Sequence, residues 1–200
     1  MSARVGDDPQ NKSIDGVKNF RRRLGTEMTE ILPLLYLGSL RDAHDPEQLE
    51  KFKIRAILSV HDMPRTSELH QGMTIMQIRI SDSSAQRISV HFRDAIQFIH
   101  EARMRGDAVL VHCLAGVSRS VALVAAYVCT TLFVVDNFRV LSFIQSRRPV
   151  ANPNFGFRMQ LANFFAKDSP RLERQRLLSS GGKLCADLFK ADKVYFANGR

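Results

Sequence analysis

Apolar residues fall in short runs separated by polar or turn-forming residues along most of the chain, and strand-like and helix-like spacings alternate. Ile54 to Val60 is almost continuously apolar, Met73 to Ile80 alternates in part, and Ala108 to Val111 follows the turn-like Gly106-Asp107. Runs of this length and composition predict buried strands. Ile31 to Leu37 is apolar except for Pro33, which suits an edge strand leading into Gly38-Ser39, because proline donates no ladder hydrogen bond. Between these runs the period changes. Asp45-Pro46 supplies a cap and a first-turn proline for a helix to about Phe52. From about Ser89, the residues Phe92, Ala95, Ile96, Ile99 and Ala102 share one helical face. Residues from Val121 onward are apolar on nearly every side and rich in alanine, which predicts a buried helix starting near Ser118. Asp136 caps a further helix to about Gln145, ended by Arg148-Pro149, and Asn154 caps a last one from Phe155 to Phe165. Strands that alternate with helices predict a single α/β domain, with a central mixed, mostly parallel sheet and helices on both faces.

The flanks differ from this core. Met1 to Glu27 is polar, lacks apolar periodicity and contains Arg21-Arg22-Arg23, so residues 1–27 read as a flexible lead segment. The arginine run reads as a solvated cluster, with docking to an acidic groove of a kinase as the sharper alternative. Residues 168–200 read as a basic tail, with eight Lys or Arg against four Asp or Glu from Lys167 on. Within it, Ser179-Ser180-Gly181-Gly182 looks like a flexible linker ahead of a few apolar residues at Leu184 to Phe189. That leaves 28–167 as the domain.

Composition narrows the function classes. The net charge of +9 is spread over both flanks and the centre, tryptophan is absent and no basic-aromatic stripe occurs, which argues against specific nucleic-acid binding. Attraction to acidic phosphoproteins or anionic lipid is the blander consequence. The longest apolar stretch, Val121 to Val135, is broken by Thr130-Thr131 and is shorter than the ~20 residues of a membrane span. Met1 to Gln10 lacks the pattern of a secretory signal. Cys113, Cys129 and Cys185 have neither disulfide-framework nor zinc-site spacing and fit a reducing compartment.

Chemistry concentrates in Val109 to Ser120, Val-Leu-Val-His-Cys-Leu-Ala-Gly-Val-Ser-Arg-Ser. A strand, a tight loop and a helix start follow one another, so backbone N–H groups of Leu114, Ala115, Gly116, Val117, Ser118 and Arg119 converge at the positive end of a helix. That is how a chain builds an anion nest. The same field favours a thiolate at Cys113 over a thiol. Arg119 adds a planar fork matched to two phosphate oxygens, and Gly116 permits close backbone approach. Cys-x5-Arg alone is a weak signal; the strand before it, the loop glycine and the apolar helix after it make it specific.

These residues resemble the cysteine-dependent protein phosphatases, and among them the atypical dual-specificity phosphatases of the JNK-pathway subgroup. The likeness spans about Met28 to Lys167 and rests on Leu32 to Ser39, His112 to Ser120 and Arg148 to Phe157. It implies the cysteine phosphatase fold and hydrolysis of phosphotyrosine and phosphoserine/phosphothreonine through a phosphocysteine on Cys113, with Arg119 binding phosphate. It also implies a general acid at Asp82, in the polar loop Ser81 to Ser84, where an isolated reading would be a loop aspartate. Ser120 would hydrogen-bond the thiolate, His112 would be structural, and Asn154 would support the loop from behind. No metal or other cofactor is implied, since the arginine and the loop supply the positive charge. Phosphorylated proteins, signalling kinases among them, are the implied partners, in the cytoplasm with the nucleus as a second compartment. Close members often begin Met-Gly and are myristoylated; this chain begins Met1-Ser2, so that modification is not carried over. Phosphoinositide and RNA phosphatases share the chemistry, but the inositide enzymes place lysine where Leu114, Ala115 and Val117 stand here. A phosphoprotein-binding pseudophosphatase is the rival from another class, and the presence of Cys113, Arg119 and Asp82 argues against it.

Overall fold

A computed structural model describes residues 27–63, 67–133 and 136–198; the arginine run at 21–23, with nearly all of the lead segment, lies outside them. Among the described residues the strands are β1 (Thr29–Leu32), β2 (Leu35–Ser39), β3 (Ile54–Val60), β4 (Thr74–Ile78) and β5 (Ala108–Cys113), in the sheet order β1-β2-β5-β3-β4. β1 pairs antiparallel with β2, and the β2–β5, β5–β3 and β3–β4 pairs are parallel. Every residue of β5 is buried, as expected for the middle strand of a sheet covered on both faces.

Alternation along the strands divides their residues between two apolar layers of unequal size, except at Ile54, where the register against β5 shifts before Ala56. Ile54, Ile57, Ala108 and Leu110 join Leu49 of α1 (Pro46–Lys51) in a small cluster. Ala56, Leu58, Val60, Val109 and Val111 face the large cluster, with α2 (Phe92–Met104), α3 (Arg119–Leu132), α4 (Asn137–Arg147) and α5 (Phe155–Ala166). All fourteen residues of α3 are buried, so its uniformly apolar sequence marks a core helix. The predicted caps are present: Asp45 accepts from Gln48 N, Asp136 from Phe138 N and Arg139 N, and Asn154 from Phe157 N.

Two expectations are corrected. The run Ile31 to Leu37 is not one edge strand but a tight hairpin, because Pro33 has no N–H and Leu34 turns the chain at φ 65°. β1 is therefore the edge, and β2 is an inner strand beside β5. The basic C-terminal segment is not a tail: α6 (Ser169–Asn198) runs through it, kinked at Gly182 (φ 54°), and buries Leu177, Cys185, Phe189 and Asp192 against the domain. The Ser-Ser-Gly-Gly stretch packs rather than links. Ser179 and Ser180 hydroxyls donate to carbonyls one turn back, Gln175 O at 2.9 Å and Leu177 O at 3.1 Å. A Cβ at Gly181 would lie 2.7 Å from Cys185 Cβ, so this glycine allows close approach.

A buried ion pair fastens α6. Arg103 of α2 donates to both carboxylate oxygens of Asp192 at 2.8 and 2.6 Å, with Nη1 also reaching Tyr127 Oη at 2.9 Å and Nε reaching Pro33 O at 2.9 Å. Burial opposes the charge on Arg103, but Tyr127 and Asp192 outweigh it and hold the guanidinium charged. Arg147 adds a second tie, stacking 4.4 Å from the Tyr195 ring and donating to its hydroxyl at 2.7 Å.

Candidate active site

The site lies at the carboxyl ends of β5, β3 and β4, where loops leaving adjacent parallel strands come together. Cys113 is the last residue of β5 and Arg119 the first of α3, so five loop residues turn the chain between sheet and core helix. Gly116 makes the turn at φ 67°, and a Cβ there would stand 2.5 Å from Gly38 O. Only glycine fits that position without displacing β2.

The loop carbonyls are tied outward one by one. Leu114 O accepts from Leu40 N at 3.2 Å, and Val117 O accepts from Asn152 N at 2.7 Å. Arg148 takes the two between them, donating from Nε to Gly116 O at 2.9 Å and from Nη2 to Ala115 O at 3.3 Å. With the carbonyls held on the outside, the amides are left to face the interior of the loop. Gly116 N stands 3.2 Å from Cys113 Sγ, and Ser120 Oγ reaches the same sulfur at 3.2 Å. Burial alone would push this thiol up. The Ser120 hydroxyl, the Ser120 and Val117 amides and the Arg119 charge outweigh it, and the net direction is down.

The other two cysteines move the opposite way. Burial raises the thiol of Cys185 to about 11 and that of Cys129 further, which marks them as packing residues. Cys185 was expected in a tail and is instead fully buried. His112 is buried beside the loop with Nδ1 3.3 Å from Cys113 O, and burial lowers it to about 4, so it is a neutral structural group at physiological pH.

Asp82 reaches the loop from the segment after β4. Its Oδ1 accepts from Ser118 Oγ at 2.6 Å and from Asn154 Nδ2 at 2.8 Å, while Oδ2 lies 3.8 Å from Arg119 Nε. Asn154 N also donates to Ser118 Oγ at 3.0 Å. Asn154 therefore does more than support the loop from behind, because its cap position puts its amide directly on the aspartate. Close packing seats that segment, since a Cβ on Gly156 in the first turn of α5 would come within 2.0 Å of Ser84 O.

Cys113, Arg119, Ser120, Asp82 and the loop residues Leu114, Ala115, Gly116, Val117 and Ser118 thus all converge. Sequence reasoning missed Arg148, read there as a helix stop, and Asp62, which accepts from Arg119 Nη1 at 2.6 Å. Nothing in a lone aspartate two residues beyond a strand would have singled it out. Two depressions flank the loop. One, of about 670 Å³, has Leu40, Met63 and Leu114 among its walls; the other, of about 450 Å³, is lined by Asp82, Asn154, Phe155 and Arg158 among others.

The family model described as dual specificity phosphatase, catalytic domain, matches residues 35–167. The chain belongs to the dual specificity phosphatase family. The domain is accordingly a protein phosphatase domain with the cysteine-dependent chemistry general to that family. Dual specificity protein phosphatase 22 of Xenopus tropicalis is 49% identical over 146 residues, covering 72% of this chain and 68% of that protein. Dual specificity protein phosphatase 15 of Mus musculus is 45% identical over 152 residues, covering 76% of this chain and 63% of that protein. The crystal structure of DUSP15 superposes with a TM-score of 0.74 at 41% identity, covering 78% of this chain and 97% of that one. The mixed five-stranded sheet is the phosphatase fold expected from the sequence likeness.

Proposed function

We propose that this phosphatase domain hydrolyses phosphotyrosine and phosphoserine or phosphothreonine on proteins through a phosphocysteine on Cys113. The observation that carries the reading is the convergence of Gly116 N and Ser120 Oγ on Cys113 Sγ inside a loop whose carbonyls are tied outward. The Cys113 thiolate attacks phosphorus and the bond from phosphorus to the side-chain oxygen breaks. The loop amides and the Arg119 fork hold the equatorial oxygens as charge develops. Asp82 gives a proton to the leaving oxygen. Both of its neutral donors converge on Oδ1, so Oδ2 is the atom that carries that proton. In the second step the Asp82 carboxylate takes a proton from water, water attacks phosphorus, and the S–P bond breaks. The Ser120 hydroxyl eases departure of the thiolate.

The flanking depressions support a protein substrate. A phosphorylated side chain presented to Cys113 lays its neighbours over Leu114, 56% exposed, and Phe155, 75% exposed, which are surfaces for peptide rather than for a small headgroup. Phosphorylated signalling kinases are among the substrates this reading includes. A working thiolate also supports a reducing compartment, the cytoplasm and with it the nucleus. The test is phosphate release from a panel of phosphotyrosine and phosphothreonine peptides beside phosphoinositides. Turnover of both peptide classes is the expected result; turnover of inositides alone would sink the protein-substrate reading.

A further inference from the structure

Arg119 is hydrogen-bonded from one side only. Its Nη1 donates to Asp62 Oδ1 at 2.6 Å and to Ile80 O at 3.1 Å. Its Nε is buried without a hydrogen-bond partner among the described residues, 3.8 Å from Asp82 Oδ2. The two grips come from the ends of neighbouring strands: Asp62 follows β3, Ile80 follows β4, and Val60 and Ile78 are paired in the parallel ladder between them. β3 also pairs with β5, Ser59 opposite His112, one residue before the nucleophile. The sheet register therefore sets Asp62 against Arg119.

We infer that Asp62 is a positioning residue, whose carboxylate locks the Arg119 guanidinium so that its Nε–Nη2 edge is presented to the phosphoryl oxygens. The inference rests on the phosphocysteine reading of the site and adds a residue to it. A guanidinium can offer a two-pronged contact along the Nε–Nη2 side or across its Nη1–Nη2 end, and the two point in different directions. Occupying Nη1 removes the second choice. Fixing the fork before substrate arrives removes the cost of orienting it from the chemical step. The opposite outcome is a physical alternative, because a carboxylate 2.6 Å from the arginine also neutralises part of the charge that attracts phosphate. What favours positioning is that Asp62 and Ile80 O share one nitrogen and leave the buried Nε without a hydrogen bond, its one neighbouring charge being Asp82 Oδ2 at 3.8 Å. The Asp62 side chain is itself 55% exposed and so contributes little to the core.

Tungstate binding by calorimetry in a Cys113→Ser background reads oxyanion capture apart from turnover, and phosphopeptide kcat/KM in the otherwise native enzyme reads the transition state. Asp62→Ala is expected to weaken tungstate binding and to lower kcat/KM, each by ~10- to ~100-fold, the size of loss that misplacing a reacting group produces. Asp62→Asn, which keeps an acceptor oxygen, is expected to lose less. In an Arg119→Lys background, Asp62→Ala is expected to add no further loss, since a lysine has no fork to orient. Tighter tungstate binding by Asp62→Ala would make the aspartate a competitor and overturn the proposal, as would unchanged binding or an undiminished loss in the Arg119→Lys background. A melting temperature that falls together with activity would assign Asp62 to the fold instead and overturn it too. No tungstate binding with Asp62 intact would bring down the site reading itself, a failure separable from that of Asp62.

Discussion

Ser118 Oγ donates to Asp82 Oδ1 at 2.6 Å, so the candidate acid is tied to the same loop that surrounds the nucleophile. Asn154 Nδ2 reaches the same oxygen, which leaves Oδ2 to carry a proton. Asn at position 82 keeps a carbonyl oxygen for both donors while losing the transferable proton. Asp82→Asn should therefore hold the loop in place and slow phosphopeptide hydrolysis by ~10²–10⁴-fold. An activated aryl phosphate should lose much less, because its leaving group departs without protonation. Equal losses on both substrates would remove Asp82 from the proton-transfer step.

Gly156→Ala tests the same placement from the other side. A Cβ 2.0 Å from Ser84 O must displace the acid loop or α5, since the obstacle is backbone. The expected signature is a loss graded like that of Asp82→Asn, heavier on phosphopeptide than on aryl phosphate, with Cys113 alkylation unchanged. An unchanged ratio between the two substrates would show that Gly156 does not control the acid.

For the nucleophile, the pH dependence follows from what surrounds it. Burial raises the Cys113 thiol, and the Ser120 hydroxyl is the foremost of the groups that bring it down. A depressed thiol is ionised to lower pH, so alkylation of Cys113 by iodoacetamide should begin at a lower pH than for an ordinary cysteine. Ser120→Ala should move the midpoint upward, toward the ordinary thiol range. An unmoved midpoint would mean that the amides and Arg119 suffice without the hydroxyl.

Arg103 and Asp192 are both fully buried, and removing one partner strands a charge. Asp192→Ala should cost ~3–5 kcal/mol in urea unfolding, whereas replacing both partners with apolar residues of similar volume should cost far less. A change below ~0.5 kcal/mol for the single variant, the range of ordinary surface substitutions, would mean that α6 does not dock as described.

Acid should weaken the fold through histidines held neutral. Burial lowers His100 and His112 from 6.5 to about 4. Between those values the unfolded chain takes up protons that the folded chain does not. Stability therefore falls as pH drops from 6.5 toward 4, by up to ~1.4 kcal/mol per pH unit for each histidine. His100→Gln should flatten the slope of unfolding free energy between pH 6.5 and 5. The wild-type slope in that variant would exclude His100 as a source.

Local patterning determined much of this protein. Ile54–Val60 is a strand with the limits its apolar run announces, and the capped helices after Asp136 and Asn154 start where their caps stand, because these signals act within a few residues along the chain. Cys113, Gly116, Arg119 and Ser120 were legible together because a phosphate loop is itself a short continuous segment. Contacts between distant segments were decided by tertiary structure. Asp62 meets Arg119 across 57 residues, and Asn154 meets Asp82 across 72. Asp62 carries no local signal, and Asp82 stands out through the family likeness and its place in a polar loop; what brings both to the site is the register that sets the ends of β3, β4 and β5 side by side. The C-terminal segment shows the converse: its serines and glycines favour a linker by local preference, yet the apolar faces around Leu177, Cys185 and Phe189, with Asp192 on Arg103, bury enough surface to override it. Propensity acts residue by residue, while burial and charge pairing depend on what the rest of the chain presents, and that partner exists only once the sheet and α2 are in place.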